Sequence, residues 1–407
     1  MDILDQYSED YSKNFRLRFK FLHKASVRFF EIKKTWWQMN GQFFIIIPLL
    51  IFQFVTMWIY IYNKLSQVQI YEIAYLLPPF LVAIQGFIKA IVILPNRDKI
   101  NTIIKVLGEM WRAENLTRIQ KKDKAAIFKK LNIYNSVSLW INVVGTSQYL
   151  LTPLIETVVR RLILNQDCEM LLPLYCAYPF DFGYNWVAYL GVYALQLFSM
   201  ILWVFFYTGP EWILVTICAL IGSQMILLRD DICHMKPVTN SEINGNVKRR
   251  SKCGEIPIYV FVNRHQKLIM LCQQLDEVFN RMIFASLLFV GITTCFFRYA
   301  GQFSRGPTYM LNNYAAVFAS LLQVLHLCYY GELLTGASIS IGEAGYQNPW
   351  YKGGTTYQKT ICFIIKRSQT PCSLTSMRYA QITLSMFTKV ISTTWSYLSL
   401  MNNVYAD

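Results

Sequence analysis

Charge is scarce in this sequence: only 15% of its 407 residues are Asp, Glu, Lys or Arg, against about a quarter in soluble globular domains. Hydrophobic residues make up 54% of the chain. No Pro-, Gly- or Ser-rich stretch divides it into independent blocks. This combination indicates one domain, much of whose surface faces membrane lipid instead of water.

Patterns typical of metal centres and enzymes are also missing. The ten cysteines form no CxxC pair, and the four histidines lack a second ligand at metal-binding spacing inside an apolar segment. Cys233, His234, Cys253 and His265 share one polar region, but their spacings fit no standard zinc site. The first forty residues lack the apolar core and cleavage site of a signal peptide. We therefore predict no metal, no cofactor and no enzymatic activity.

Seven apolar segments are long enough to cross a bilayer, which requires about 20 mostly apolar residues. They are 43–62, 73–94, 131–155, a region beginning at 186, 282–303, 308–333 and 379–401. The fourth is ambiguous, because Gly209-Pro210-Glu211 interrupts it. Two spans joined there would place the next basic stretch outside, so we predict one long helix that projects beyond the bilayer. The expected fold is an all-α, seven-transmembrane-helix membrane protein.

The placement of Lys and Arg predicts the orientation. Basic residues cluster before span one, between spans two and three, after span four and before span seven. The opposite loops carry only Lys64, Arg160, Arg161, Arg298 and Arg305. Because cytoplasmic loops carry the basic excess, the amino terminus is predicted to be cytoplasmic. That orientation is the reverse of a G-protein-coupled receptor, and basic residues that flank spans do not form a nucleic-acid-binding face.

These spans divide the chain into six predicted parts. The parts are a cytoplasmic amino-terminal segment (1–42), helices 1–4 (43–228) with an extracellular loop (156–185), a cytoplasmic anchor segment (229–281), helices 5–6 (282–333), a cytoplasmic segment (334–378) with an amphipathic helix (355–366), and helix 7 with an extracellular carboxyl terminus (379–407). Apolar faces at 228–232, 268–279 and 357–365 form intracellular helical anchor extensions. Having no membrane to enter, they are predicted to require partner helices, which favours oligomerisation.

Short motifs follow one another in the carboxyl-terminal third. They are Tyr329-Tyr330-Gly331-Glu332-Leu333, Asn348-Pro349-Trp350-Tyr351, Arg367-Ser368-Gln369-Thr370-Pro371 and Thr394-Trp395-Ser396-Tyr397-Leu398. Together with Pro179-Phe180-Asp181 before span four, this ordered set resembles the insect odorant receptor family. The resemblance implies a subunit of a ligand-gated, nonselective cation channel. Such channels assemble as heterotetramers with a co-receptor in the plasma membrane of olfactory sensory neurons.

Two departures from the co-receptor indicate a tuning subunit, the one that binds odorant. The loop between spans four and five is short for a co-receptor, and helix 7 ends in Leu-Met-Asn-Asn instead of apolar-Gln-apolar. A gustatory-type channel subunit is the nearer alternative, although its usual terminal Gln-Phe is absent. A membrane transporter with broken helices is the more remote alternative.

Span seven carries a polar stripe at steps of three and four residues, as expected for one face of a helix. The stripe consists of Ser385, Lys389, Ser392, Ser396, Ser399 and Asn403. Small hydroxyl residues that join helices would produce the same pattern. The resemblance implies instead that the stripe, with Ser396, lines the pore, and that Leu400 and Val404 form an apolar gate that closes by dewetting. Lys389 does not fit a cation pathway.

The resemblance also implies an odorant pocket in the outer halves of spans two, three, four and six. Aromatic walls with few polar groups suit a small volatile organic molecule, although ordinary helix packing is the alternative for each residue. The candidates are Tyr71, Tyr75, Leu76, Phe80, Asn142, Gly145, Tyr149, Tyr193, Gln196, Met200, Tyr314 and Phe318.

Cys168 and Cys176 share the loop 156–185, which we predict to face the oxidising exterior. A disulfide between them and two free thiols are both compatible with the sequence.

Overall fold

The computed structural model describes residues 4–24, 29, 41, 43–65, 70–166, 168–180, 183, 185–237, 257–304 and 306–404. This part of the chain is almost entirely helical, which confirms the all-α prediction; a hairpin of two short strands, β1 (Thr375–Ser376) and β2 (Ala380–Gln381), is the departure from it. The helices are α1 (Glu9–Lys24), α2 (Phe43–Leu65), α3 (Ile70–Ile93), α4 (Arg97–Glu109), α5 (Arg118–Val158), α6 (Trp186–His234), α7 (Ile258–Gln302), α8 (Pro307–Gln347), α9 (Thr355–Ser368) and α10 (Leu384–Val404).

The seven predicted spans lie in α2, α3, α5, α6, α7, α8 and α10. Within the described residues, α2, α3, α6, α7 and α8 each contain a stretch long and apolar enough to cross a membrane unaided. Helices α5 and α10, which hold spans three and seven, fall short of that measure because many Ser, Thr and Asn residues interrupt their apolar sequence.

Helix α6 runs through the centre of the helical bundle. It runs unbroken through Pro210 for 49 residues, about 70 Å at 1.5 Å per residue, so the prediction of one long helix is correct. The Asn185 side chain caps its start by accepting from the N–H groups of Val187 and Ala188. Every residue from 208 to 225 is buried. Other helices therefore surround the middle of α6 on all sides.

Helix α1 packs against α6. Its buried face carries Tyr11, Phe15, Phe19 and Leu22, each at most 4% exposed. Leu22 approaches Gly209 so closely that a Cβ there would lie 2.4 Å from a leucine methyl. The glycine beside Pro210 therefore admits α1 to the surface of α6.

The anchor faces are covered within the chain, not by a partner. Helix α8 continues past the predicted end of span six to Gln347 and packs against α9. Ile232, Leu268, Phe279 and Ile361 are all buried in the single chain. The prediction that these faces require another subunit is wrong, because the extended α8 supplies the missing helix; they give no argument for oligomerisation.

Helix α10 begins at Leu384, five residues after the predicted start of span seven at Tyr379. Met377 and Arg378 have positive φ angles, 51° and 64°, a conformation that ends regular helix. The segment before α10 folds instead into the hairpin, where the Ile382 N–H donates to the Leu374 carbonyl at 2.9 Å.

Candidate ligand-binding site

A cavity of about 200 Å³ lies between α3, α5, α6, α7 and α8. Most of its wall is apolar, with Ala83 on α3, Trp203 on α6, Phe297 on α7 and Ala319 on α8. Leu174 closes it from the loop before α6. A mostly apolar wall with few polar groups is typical of a site for a small organic molecule.

One face of α5 forms a side of this cavity. Ser138, Asn142, Gly145 and Tyr149 line it at steps of four, three and four residues, the spacing of one helical face. No heavy atom lies within 4 Å of the position that a Cβ on Gly145 would occupy. The glycine therefore borders empty space, as expected of a residue that leaves room for a ligand. Of the other candidates, Met200 also lines the cavity.

Leu76 and Phe80, the two candidates on α3 whose side chains are described, do not line this cavity. Leu76 lines a second, outer cavity of about 290 Å³. Phe80 is buried against α2, where its ring stacks on Phe54 with centroids 4.7 Å apart. The side chains of Tyr71 and Tyr75 lie outside the described part of the chain, although α3 begins at Ile70.

The remaining candidates do not line this cavity. The Tyr193 hydroxyl donates to the Leu150 carbonyl and joins α6 to α5. Gln196 holds the loop, because its amide exchanges two hydrogen bonds of 3.0 Å with the backbone of Leu174. Tyr314 accepts from Arg298 at 2.7 Å, and Phe318 is 60% exposed on the outside of the bundle.

The sequence reasoning missed the face of α8 that lines the cavity. That face carries Asn312, Ala316, Ala319 and Gln323, again at steps of four, three and four. Aromatic residues drew the prediction to the opposite face of the same helix. The available signal was the group of small residues, Ala315, Ala316 and Ala319, because small side chains leave the space that a ligand needs.

The loop before α6 forms the roof. Its backbone is attached to α2 by the Ala177 N–H, which donates to the Thr56 carbonyl at 3.0 Å. Cys176 is buried there, and its Sγ accepts from Gln53 Nε2 at 2.9 Å. Cys168 and Cys176 are both free thiols, so the structure does not form the possible disulfide. The inner and outer cavities share Tyr149, Phe297 and Asn312 as their common wall.

A buried ion pair lies under the cavity. Lys89 Nζ is 2.5 Å from Glu211 Oε1 and also donates to the Tyr207 carbonyl at 2.8 Å. Glu211 accepts from Ser286 Oγ at 3.0 Å and from the Gln323 amide. Four helices thus meet at one carboxylate, which compensates for the cost of removing both charges from water.

Helix α10 packs against its own chain with one face. Val390 and Leu398 are buried, whereas the residues of the polar stripe are exposed. Ser396 is exposed and Leu400 is 58% exposed; the side chain of Val404 lies outside the described residues. The stripe therefore faces away from the other helices of this chain.

The polar region considered for zinc provides no site in the described residues, where no three His, Cys, Asp or Glu side chains converge as ligands. Cys253 lies outside them. Burial lowers the pKa of His265 to about 4, so this imidazole is neutral at pH 7.

Comparisons with known proteins agree with this architecture. The family model "7tm Odorant receptor" matches residues 69–395. Odorant receptor 67c of Drosophila melanogaster is 26% identical over 147 residues, 36% of each chain. Odorant receptor 13a of the same species is 21% identical over 342 residues, 80% of this chain and 78% of that protein. The matches to the first two curated relatives span 36% and 48% of their length.

The fold is that of a solved structure, the insect olfactory receptor OR5 from Machilis hrabei. The TM-score is 0.79 at 15% identity, with 97% of this chain and 100% of that chain covered. The structure of the same receptor in complex with eugenol gives a TM-score of 0.78. Since the family model covers most of the sequence, this chain belongs to the 7tm odorant receptor family, a family of receptors and not of enzymes.

Proposed function

We propose that this chain is the odorant-binding subunit of an odorant-gated, nonselective cation channel, formed with co-receptor subunits as a heterotetramer. The observation that carries the proposal is the apolar cavity enclosed by five helices and roofed by the loop before α6. A channel subunit that responds to volatile molecules needs such a space inside its own bundle. We place the complex in the plasma membrane of olfactory sensory neurons.

The ligand is a small volatile organic molecule. The small and apolar wall residues, such as Ala83, Ala316 and Ala319, favour binding by shape and dispersion. Among the similar solved structures, the Machilis hrabei receptor binds eugenol.

The pore lies along α10. Its polar stripe is exposed on the single chain, and polar residues in a membrane should face protein or water, not lipid. We assign Ser396 to the conduit for permeating cations, and Leu400 and Val404 to an apolar gate. The exposed Lys389 faces a carboxylate of a partner subunit or the wide cytoplasmic mouth.

Co-expression with a co-receptor tests the proposal. Cells that express both chains should give cation currents when a panel of volatile molecules is applied, whereas this chain alone should give none. Full currents without any co-receptor would favour a gustatory-type channel, and solute uptake without current would favour a transporter. Epitope tags at both ends test the orientation: staining of the amino-terminal tag in intact cells would contradict a cytoplasmic amino terminus.

A further inference from the structure

Three carboxamide side chains line the cavity: Asn142 on α5, and Asn312 and Gln323 on α8. An amide offers a donating NH₂ group and an accepting oxygen. The nitrogen and the oxygen are distinguished by their partners. The partners of these three amides therefore decide what the cavity presents to a ligand.

The orientation of Gln323 is fixed by the ion pair below the cavity. Its Nε2 donates to Glu211 Oε2, and Glu211 is paired with Lys89. An ionised carboxylate can only accept hydrogen bonds, so the NH₂ group must occupy this end of the amide. No described residue donates to Gln323 Oε1, and Gln323 lines the cavity. The ion pair thus presents an accepting oxygen to a ligand.

The two asparagines repeat this arrangement. Asn142 Nδ2 donates to the Ser138 carbonyl at 2.7 Å, which likewise can only accept. Asn312 Nδ2 lies 3.5 Å from Thr152 Oγ1, while Asn312 Oδ1 is buried and has no hydrogen-bond partner in the described structure. Leaving a buried acceptor unpaired costs more than an ordinary hydrogen bond returns. A ligand that donates would satisfy the Asn142 oxygen, whereas the Asn312 oxygen is buried within the wall.

The other polar groups of the wall do not decide the ligand class. The indole Nε1–H of Trp203, a lining residue, is buried without a partner among the described residues, so it does not face the open space of the cavity. The hydroxyls of Ser138, Thr146 and Tyr149 can either donate or accept, so they do not discriminate. A ligand hydroxyl can donate, so it matches the carboxamide oxygens of Gln323 and Asn142. A ketone, ester or ether can only accept and would leave the amide oxygens unpaired.

We propose that the cavity selects neutral alcohols and phenols over ketones, esters and ethers of the same size. Gln323, oriented by Glu211 and Lys89, is the residue that determines this specificity, and Asn142 supports it. The inference rests on the proposed function as an odorant-binding subunit. A site built to pair with a hydroxyl rejects analogues without one much more strongly than a purely apolar pocket does, so we expect a difference in potency of about 10-fold or more.

Matched probe pairs test the proposal in the full-length receptor co-expressed with a co-receptor. The pairs are 1-octanol with heptyl methyl ether and with 2-octanone, and 4-methylphenol with its methyl ether. The hydroxyl member of each active pair should be the more potent by about 10-fold. Gln323→Met keeps the side-chain length without the acceptor and should reduce that ratio towards one. Gln266→Met, at an exposed position on α7, should leave it unchanged.

A second variant is needed because Gln323→Met also removes a hydrogen-bond partner of Glu211 and so affects the stability of the fold. Asn142→Leu removes another acceptor without touching the ion pair and should also lower the ratio. If both variants weaken responses to the two members of a pair equally, these residues have only a structural role and the assignment is overturned. Equal potency of hydroxyl and non-hydroxyl members in the wild type would overturn the ligand class but leave the proposed function intact. Silence to every probe from receptor present at the cell surface would contradict both.

Discussion

The Lys89 ammonium and the Glu211 carboxylate lie 2.5 Å apart in the middle of the bundle, with side chains 0% and 5% exposed. They join α3 to α6 across 122 positions of sequence. Removing one member of a buried pair leaves an uncompensated charge, which is far more costly than removing both.

Glu211→Gln alone should therefore destabilise the receptor by about 3–5 kcal/mol. The double variant Lys89→Met, Glu211→Gln should recover much of that loss, because no charge is left unpaired. The measurement is the thermal unfolding of the detergent-solubilised receptor, followed by size-exclusion chromatography. The control is Lys99→Met, which breaks an exposed pair with Glu277 and should cost at most about 1 kcal/mol. Equal stability of Glu211→Gln and Lys99→Met would contradict the burial of the Lys89–Glu211 pair.

Long-range pairing of this kind explains what the sequence did and did not reveal. The apolar runs predicted the helices that cross the membrane, because local composition carries that information. The distribution of Lys and Arg favoured one unbroken α6 through Pro210. Lys89 and Glu211 looked like isolated charges near interruptions of apolar segments, since nothing local connects α3 with α6. The extension of α8 to Gln347 was missed for a similar reason, because the apolar run ends at Leu333 and nothing local reveals the packing of the following residues against α9.

The cavity was predictable only in part. Asn142, Gly145 and Tyr149 share a face of α5 that the spacing identifies. Which face of α8 turns inward depends on the rotation of a helix that carries apolar residues all round, and periodicity does not specify that rotation. Aromatic content favoured Phe318, which is exposed, whereas Ala319 one position further lines the cavity.

Gly145→Leu should block odorant responses without harming the fold. A leucine side chain there enters the cavity, because no atom lies within 4 Å of the Cβ position. We expect at least a 10-fold loss of potency for ligands that fill the cavity, at unchanged surface expression. Gly191→Leu on α6 is the control, since its Cβ position is equally open but lies on the exposed surface. Dose–response curves that shift equally for both variants would show that the cavity is not the ligand site.

The two loop cysteines should differ in reactivity. Burial raises the pKa of Cys176 to about 11, so at pH 7.4 almost none of it is the reactive thiolate. Cys168 is partly exposed. A membrane-impermeant maleimide applied to intact cells without reductant should label Cys168 and spare Cys176, as checked with Cys168→Ser and Cys176→Ser variants. Labelling of Cys168 only after reduction would instead demonstrate a disulfide.

Gly331 permits the close contact between α8 and the segment that leads into α10. A Cβ at this position would lie 2.5 Å from the Ile382 carbonyl oxygen, a backbone atom that cannot rotate away. Gly331→Ala should therefore destabilise the receptor by about 1–3 kcal/mol. Gly336→Ala, on the same helix but with open space around its Cβ, should stabilise it by up to about 1 kcal/mol through helix propensity. Thermal unfolding of the solubilised receptor measures both, and equal shifts would rule out the contact.

Leu400→Ser tests the proposed gate. Leu400 is 58% exposed on the face of α10 that turns away from its own bundle, so in an assembled channel it faces either the conduit or lipid. In the conduit of the proposed heterotetramer, a polar residue weakens dewetting, so current without odorant should rise. Leu398→Ser is the control for packing, because Leu398 is buried against Tyr299 and Ala300. Its replacement should reduce surface protein instead of raising basal current.

The measurement is the basal current of receptor plus co-receptor, normalised to surface protein. Unchanged basal current, ion selectivity and blocker sensitivity in Leu400→Ser would place this residue in lipid and assign the polar stripe to helix packing.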